Sequence, residues 1–304
     1  MFLLNFNKNK LKKFSLNVLL IFALIASSIF FSACDILEKD TRLQVHFIDV
    51  DQGDSTLIIS PNGRTMLIDA GDNSKGSEVI SYLKRKGISK IDILIGTHPD
   101  ADHIGGLDDV IEAFEIGEFY LPRKSHTTNT FESVLLAAKS KNLSIKEGYA
   151  DRELDYDENI KLKILSPIKS KDYGSDNNLY SIVVKLDYNQ ASFLFMGDAE
   201  YKNEYDMLAS DYSLKSDVVK LGHHGSHSST SQELLNAVMP SAAIVSCGYK
   251  NKYSHPHKEV LDLLETSSIP LYRTDEQGDI IFRTDGKTIT ANTEPGSYTY
   301  RKYK

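Results

Sequence analysis

The sequence predicts an α/β sandwich in which helices cover packed sheets, and three observations point there. Apolar runs of strand length alternate with segments of helical periodicity through both halves of the chain. One run, IDILIG at residues 91–96, shows no polar alternation and so suits an interior strand covered on both faces. No linker rich in Pro, Gly or Ser separates the halves into independent domains. At 304 residues and 41% hydrophobic, the chain is long enough to bury a full core.

The elements follow in order. NKNKLKKFSLN leads into the apolar VLLIFALIASSIFF and then SAC, the layout of a secretory signal covering residues 1–33. Ser32-Ala33-Cys34 resembles the lipobox of bacterial lipoproteins, which makes Cys34 the expected lipidation site; Phe31 departs from that pattern. A plain signal peptide and an uncleaved anchor are the alternatives, and all three readings export the domain. Residues 34–42 read as a polar tether. LQVHFIDV, STLIIS and TMLIDAG then read as short strands, the last two divided by Pro61-Asn62-Gly63. EVISYLKRKG has apolar residues at helical spacing and a closing glycine.

The second half repeats this grammar. KLKILSP, YSIVVKLDY and ASFLFMGD read as strands, YKNEYDMLAS as a helix, DVVKLG as a strand, and SQELLNAVM as a helix. AAIVSCG and HKEVLDLLETS continue as strand and helix, and DIIFRT and KTITANT flank Asp285-Gly286, a hairpin turn signal. The domain thus runs from 43 to 292, and residues 293–304 form a basic, aromatic tail that reads as a frayed end or a contact with the acidic cell surface. Lys220 reads as a solvated or core-edge residue. His46 and Cys247, each within an apolar strand, read as structural; with Cys34 set apart, Cys247 has no partner for an internal disulfide.

Without residues 1–34, 31 basic residues face 42 acidic ones, a net charge of -11. That balance opposes tight, non-specific binding of a polyanion, which rests on clustered Lys and Arg.

Potential metal ligands concentrate at strand ends. THPDADHIGG brings His98, Asp100, Asp102 and His103 to the end of IDILIG, the edge on which open α/β sheets build sites. Carboxylate and imidazole make a borderline-to-hard metal site, whereas the same groups without a cation would leave acids poorly compensated. Further strands end at Asp69, at Asp198 and at His223-His224, each beside a glycine that lets the chain turn sharply. His227, His255 and His257 could hold a phosphate or protonate a leaving group, and Asp54 in DQGDS could serve the site or simply the turn.

These motifs together resemble a metallo-β-lactamase-fold hydrolase, in the branch found as the extracellular domain of ComEC-type DNA-uptake proteins. The resemblance rests on THPDADHIGG, IDAG, FMGDAE and LGHHGS, with HFIDVDQGDS, DNNLYSIVV, YSHPHKEVL and TDEQGDIIF in matching order from Val45 to Arg283. It implies a four-layer αβ/βα sandwich. It places His98 and Asp100 on one divalent metal, Asp102 and His103 on a second, Asp198 bridging both, and His223 or His224 completing the second site. Asp69 would orient a ligand histidine by hydrogen bonding. The superfamily's middle histidine has no counterpart between His103 and Asp198 except His126, in a hydrophilic stretch; Asn177 and Asn178 occupy the branch's asparagine motif and would face substrate. Asp100 stands where the superfamily has histidine, which shifts preference from zinc towards manganese.

The resemblance therefore implies an exported, lipid-anchored, metal-dependent hydrolase on the outer face of the cell membrane. Asp102, Asp198 and His224 would carry the chemistry, a hydroxide held between two Mn or Zn ions attacking a phosphodiester. The substrate would be DNA, linking the protein to an uptake machinery, or a cell-envelope polymer of teichoic-acid type. A non-catalytic DNA-uptake accessory role is the rival from another class, and β-lactam hydrolysis is disfavoured by Asp100 and the missing histidine.

Overall fold

The computed structural model describes residues 40–303. The segment 1–33 expected as a signal, the expected lipidation site Cys34 and most of the expected tether lie outside the described residues. The eight-stranded sheet has the order β14-β13-β1-β2-β3-β4-β5-β6. Its strands are β1 (Leu43–Phe47), β2 (Thr56–Ile59), β3 (Thr65–Ile68), β4 (Lys90–Ile95), β5 (Glu115–Pro122), β6 (Ile145–Gly148), β13 (Ile280–Thr284) and β14 (Ile289–Ala291). The six-stranded sheet, β12-β11-β10-β9-β8-β7, consists of β7 (Ile160–Ser166), β8 (Val183–Tyr188), β9 (Ala191–Phe195), β10 (Val218–Lys220), β11 (Ala242–Val245) and β12 (Leu271–Arg273). The late hairpin crosses back to the first sheet, where β13 pairs antiparallel with β1 through Val45↔Phe282.

Alternation along the strands builds three apolar layers. Ile58, Ile93, Ile95 and Phe47 from the first sheet meet Ile164, Leu186, Phe193 and Phe195 from the second. The opposite faces carry Leu57, Leu67 and Leu94, which pack under helices 76–85, 107–113 and 129–140. On the second sheet Leu194, Val219 and Val245 pack under helices 201–208, 232–238 and 258–266. The order helix, sheet, sheet, helix is the four-layer sandwich. Residues such as Leu94 and Phe193 are fully buried, and each such side chain contributes about 1.5–3 kcal/mol. IDILIG lies inside its sheet with core on both faces, as its lack of polar alternation predicts.

Three segments depart from the sequence reading. Residues 107–148 form two helices and two strands that the pattern leaves unassigned. The tail, expected as a frayed end, is held by the fold: the buried Arg273 guanidinium donates to Ser297 O and Thr299 O at 3.1 and 2.8 Å, Arg301 pairs with Asp275 and Glu276, and Tyr298 Oη donates to Ile269 O. Lys220 is neither solvated nor at a core edge. It is 2% exposed and ion-pairs with Asp54.

Strand direction places the site. β3, β4, β5 and β6 run parallel, as do β9, β10, β11 and β12, so each group delivers its C-terminal ends to one edge.

Candidate metal centre

Three of those strand ends pass through left-handed backbone. Asp69 follows β3 at φ 59°, and Gly197 (φ 53°) turns the chain after β9 to present Asp198. After β10, His223 and His224 adopt φ/ψ of 46°/48° and 53°/27°. Non-glycine residues held there cost of order 1 kcal/mol each, a strain that clusters at functional sites. Two consecutive left-handed residues also part their side chains: His224 is 1% exposed and points into the centre, whereas His223 is a quarter exposed at its mouth. Gly53 brings a second loop in close; a Cβ there would lie 2.4 Å from Asp102 O, and the neighbouring Asp54 N donates to that same carbonyl.

Asp54, His103, Asp198 and His224, all buried, each offer one ligand atom within 4.8 Å of the others. His103 Nδ1 lies 2.8 Å from Asp69 Oδ2, and His224 Nδ1 lies 2.9 Å from the Ser246 carbonyl. An acceptor at Nδ1 fixes the proton on that nitrogen and leaves Nε2 with its lone pair. The two Nε2 atoms then face each other at 3.3 Å, lone pair against lone pair, unless a cation or a proton sits between them.

Asp198 completes the core with its two oxygens turned to different neighbours. Oδ1 is 3.1 Å from His103 Nε2, at an angle that makes no hydrogen bond, and Oδ2 is 3.5 Å from His224 Nε2 and 3.9 Å from both His98 Nε2 and His223 Nε2. Asp102 Oδ2 reaches His224 Nε2 at 3.2 Å, and Asp100 Oδ2 lies 3.7 Å from His98 Nε2. His98 Nε2 and Asp198 Oδ1 are buried without a hydrogen-bond partner. Orphaned buried atoms of this kind are costly, and a cation accepts both. The donor set therefore fits a divalent metal ion.

The electrostatics agree. Burial would lower the His224 imidazole, but Asp198, Asp102 and Asp54 outweigh it and push it up to about 10. His103 is driven well above its ordinary value against the same burial, by Asp198 and Asp69. Asp198 is held well below the carboxylate range; burial opposes this, and His103 and His224 prevail. His98 goes the other way, lowered first by burial and then by His103, so it stays neutral with a free lone pair. Protons on His103 and His224 thus supply the positive charge that a cation would otherwise bring.

Asp54 belongs to this buried group and is paired at once with Lys220, whose side chain is 3% exposed against 5% for Asp54. Lys220, with His224 next, holds the Asp54 carboxyl below its usual range against the effect of burial. The centre opens into a cleft of about 230 Å³ lined by Gln52, Asp100, Asp102, Tyr253 and His255 among others. At its mouth Glu200 Oε1 accepts from His223 Nδ1 (3.0 Å), Ser228 Oγ (2.9 Å) and Asn178 Nδ2 (3.3 Å), while Asn177 Nδ2 donates to Asp100 Oδ1 at 2.6 Å. His255 also reaches the cleft; its Nδ1 is buried without a partner, and burial followed by His224 pushes it down to about 3. His227 and His257 form an exposed pair, 2.8 Å apart through Nδ1, on the rim. His126 instead bonds Thr128, the N-cap of helix 129–140. Glu200, Lys220, the Ser246 carbonyl and Thr97, whose backbone N and hydroxyl donate to the Asp69 carboxylate, escape the sequence reading. Glu200 has a local signal, two residues beyond Asp198 in FMGDAE, but Lys220 acquires its role only through tertiary contact.

Residues 48–249 match the family described as the metallo-beta-lactamase superfamily. The chain is 33% identical over 269 residues to ComE operon protein 3 of Bacillus subtilis, covering 83% of this chain and 34% of that protein. It is 32% identical to Recombination protein 2 of Haemophilus influenzae (92% and 34%) and 30% identical to Competence protein ComA of Neisseria gonorrhoeae (77% and 31%). The chain spans about a third of the length of these relatives. Among solved structures it resembles the metallo-beta-lactamase fold protein YhfI of Bacillus subtilis, with a TM-score of 0.53 at 12% identity over 80% of this chain and 99% of that one. CmlA, a diiron beta-hydroxylase of Streptomyces venezuelae, gives 0.54 at 13% identity over 80% and 54%. At such identities the likeness shows the fold alone.

Proposed function

The chain belongs to the metallo-β-lactamase superfamily, whose members are generally metal-dependent hydrolases, and from that membership we propose that it is an exported phosphodiesterase working with two divalent cations, manganese or zinc. The observation that carries this reading is Asp198: Oδ1 faces His103 and Oδ2 lies between His224 and His98, so one carboxylate is within reach of both groups of proposed ligands. His98 and Asp100 would hold one ion, and Asp102, His103 and His224 the other. Three aspartates among the donors, Asp100, Asp102 and Asp198, favour a hard ion such as manganese over zinc.

When bound, the ions supply Lewis acidity, lowering the pKa of water and neutralising charge on phosphoryl oxygens. The chain's own residues do the rest. Asp69 and the Ser246 carbonyl orient His103 and His224 from behind, and Lys220 keeps the buried Asp54 charged. His223, oriented by Glu200, faces the cleft through Nε2 and is placed to pass a proton to a leaving oxygen. Among phosphodiesters, the competence-named relatives favour DNA. The basic, apolar N-terminal sequence ending at Cys34 supports a lipid anchor on the outer face of the membrane; among the described residues no helix is long and apolar enough to cross one. The test is the purified chain: bound metal by mass spectrometry, and hydrolysis of bis-p-nitrophenyl phosphate with added manganese or zinc. Nearly two equivalents of metal are expected, with activity falling at least about 100-fold in Asp198→Ala, since a shared ligand serves both ions. Metal-free wild type, or undiminished turnover by that variant, would overturn the proposal.

A further inference from the structure

Asp69 and Thr97 stand side by side because β3 and β4 run parallel as neighbours, with Asp69 N donating to Ile95 O at 2.8 Å. Both residues are buried, Thr97 at 1% exposure and Asp69 at 0%. Thr97 N donates to Asp69 Oδ1 (2.8 Å) and the Thr97 hydroxyl to Asp69 Oδ2 (2.7 Å), which also lies 2.8 Å from His103 Nδ1. The other side of the hydroxyl meets His98. Among the described residues, Thr97 Oγ1 is the hydrogen-bond partner of His98 Nδ1, at 3.1 Å.

A hydroxyl has one proton to donate and lone pairs to accept with, whereas a carboxylate accepts alone. The Thr97 proton therefore goes to Asp69, and towards His98 the hydroxyl presents a lone pair. His98 Nδ1 then carries the ring proton, which leaves on Nε2 the lone pair that finds no hydrogen-bond partner in the buried centre. A proton on Nε2 instead would lie among Asp100 Oδ2 and Asp198 Oδ2, 3.7 and 3.9 Å away, and take the place of an ion.

We propose that the Thr97 hydroxyl is a positioning group for the ion on the His98 side: it links the Asp69 carboxylate to His98 and fixes the tautomer in which Nε2 can bind metal. One carboxylate thereby orients a ligand of each ion, His103 directly and His98 through Thr97. The inference rests on the proposed function for the ions themselves, but the tautomer is read in the metal-free protein. Residue 97 also packs, since a Cβ on Gly197, in the turn that presents Asp198, would lie 3.1 Å from Thr97 Cβ. Valine keeps that branched shape and removes the hydroxyl; serine keeps the hydroxyl and removes the methyl. The two variants separate hydrogen bonding from packing.

The experiment is proton–nitrogen NMR of the histidine rings of the purified chain in chelator, with His98 assigned by the signals lost in His98→Gln. Expected is a ring proton on Nδ1 of His98 in wild type and Thr97→Ser, and on Nε2 in Thr97→Val. Calorimetric titration of the same proteins with manganese or zinc gives the second readout. In Thr97→Val one ion binds at least about tenfold more weakly, while the ion at His103 and His224, whose acceptors Asp69 and the Ser246 carbonyl remain, keeps wild-type affinity; Thr97→Ser restores both. A wild-type His98 protonated on Nε2 would overturn the proposal whatever the variants do. So would a Thr97→Val protein that binds both ions like wild type or loses both equally, or a Thr97→Ser protein no better than Thr97→Val. A wild type that binds no metal overturns the proposed function instead, and the ring signals then decide this inference alone.

Discussion

Replacing Lys220 by methionine removes the nearest cation beside a carboxylate that is itself 3% exposed. Both side chains of the pair are almost fully buried, at 3% and 5%, unlike the surface pair Lys258–Asp262 at 62% and 56%. An exposed pair is worth at most about 0.5–1 kcal/mol, whereas breaking a buried one strands a charge and costs roughly 3–5 kcal/mol. For a chain of this size that loss lowers Tm by roughly 6–15 °C. Replacing both partners by uncharged groups of similar shape is close to neutral, so Lys220→Met combined with Asp54→Asn recovers most of the loss. The assay is urea unfolding in chelator, followed by circular dichroism, on wild type, both single variants and the double. Single-variant costs below about 1 kcal/mol, or costs that simply add in the double, would refute the argument that Lys220 is the charge partner of Asp54.

Two further outcomes follow. His103 and His224 carry protons at neutral pH in the metal-free protein, because their pKa values are raised, and a cation must displace them; affinity for manganese or zinc therefore weakens as pH falls through the neutral range. Calorimetric titration in buffers of different ionisation enthalpy reads the released protons, and a buffer-independent enthalpy would contradict the tautomer and charge assignments. Deleting residues 293–304 strips two acceptors from the buried Arg273 guanidinium and removes Arg301 from Asp275, with charge-assisted bonds worth about 1.5–3 kcal/mol each. A thermal melt of the truncated chain lowered by at least about 5 °C is expected, and one within about 1 °C would show that the tail contributes nothing.

The interior strands were legible because residues such as Leu57/Ile58 and Phe193/Leu194 are apolar on both faces, a pattern that needs no tertiary knowledge. Helix 129–140 was not, since Leu135 and Leu136 are 38% and 56% exposed and blur the helical period. β12, three residues long, carries too few positions to show alternation. At the site, strand ends rich in Asp, His and Gly mark the correct edge of the sheets from the sequence alone. Lys220 could not be read there: on its own strand it is one polar residue at the end of VVK, and its meaning lies in Asp54, on a loop of the other sheet.

The metal centre straddles the line where the two halves of the chain meet. Asp54, Asp69, His98 and His103 come from the first sheet's loops, and Asp198, His223 and His224 from the second's. The buried cluster Asp54, His103, Asp198 and His224 draws two donors from each half, so an ion seated there would act as a rivet across the seam. A partly assembled chain would then lack the complete cluster until both halves have packed together.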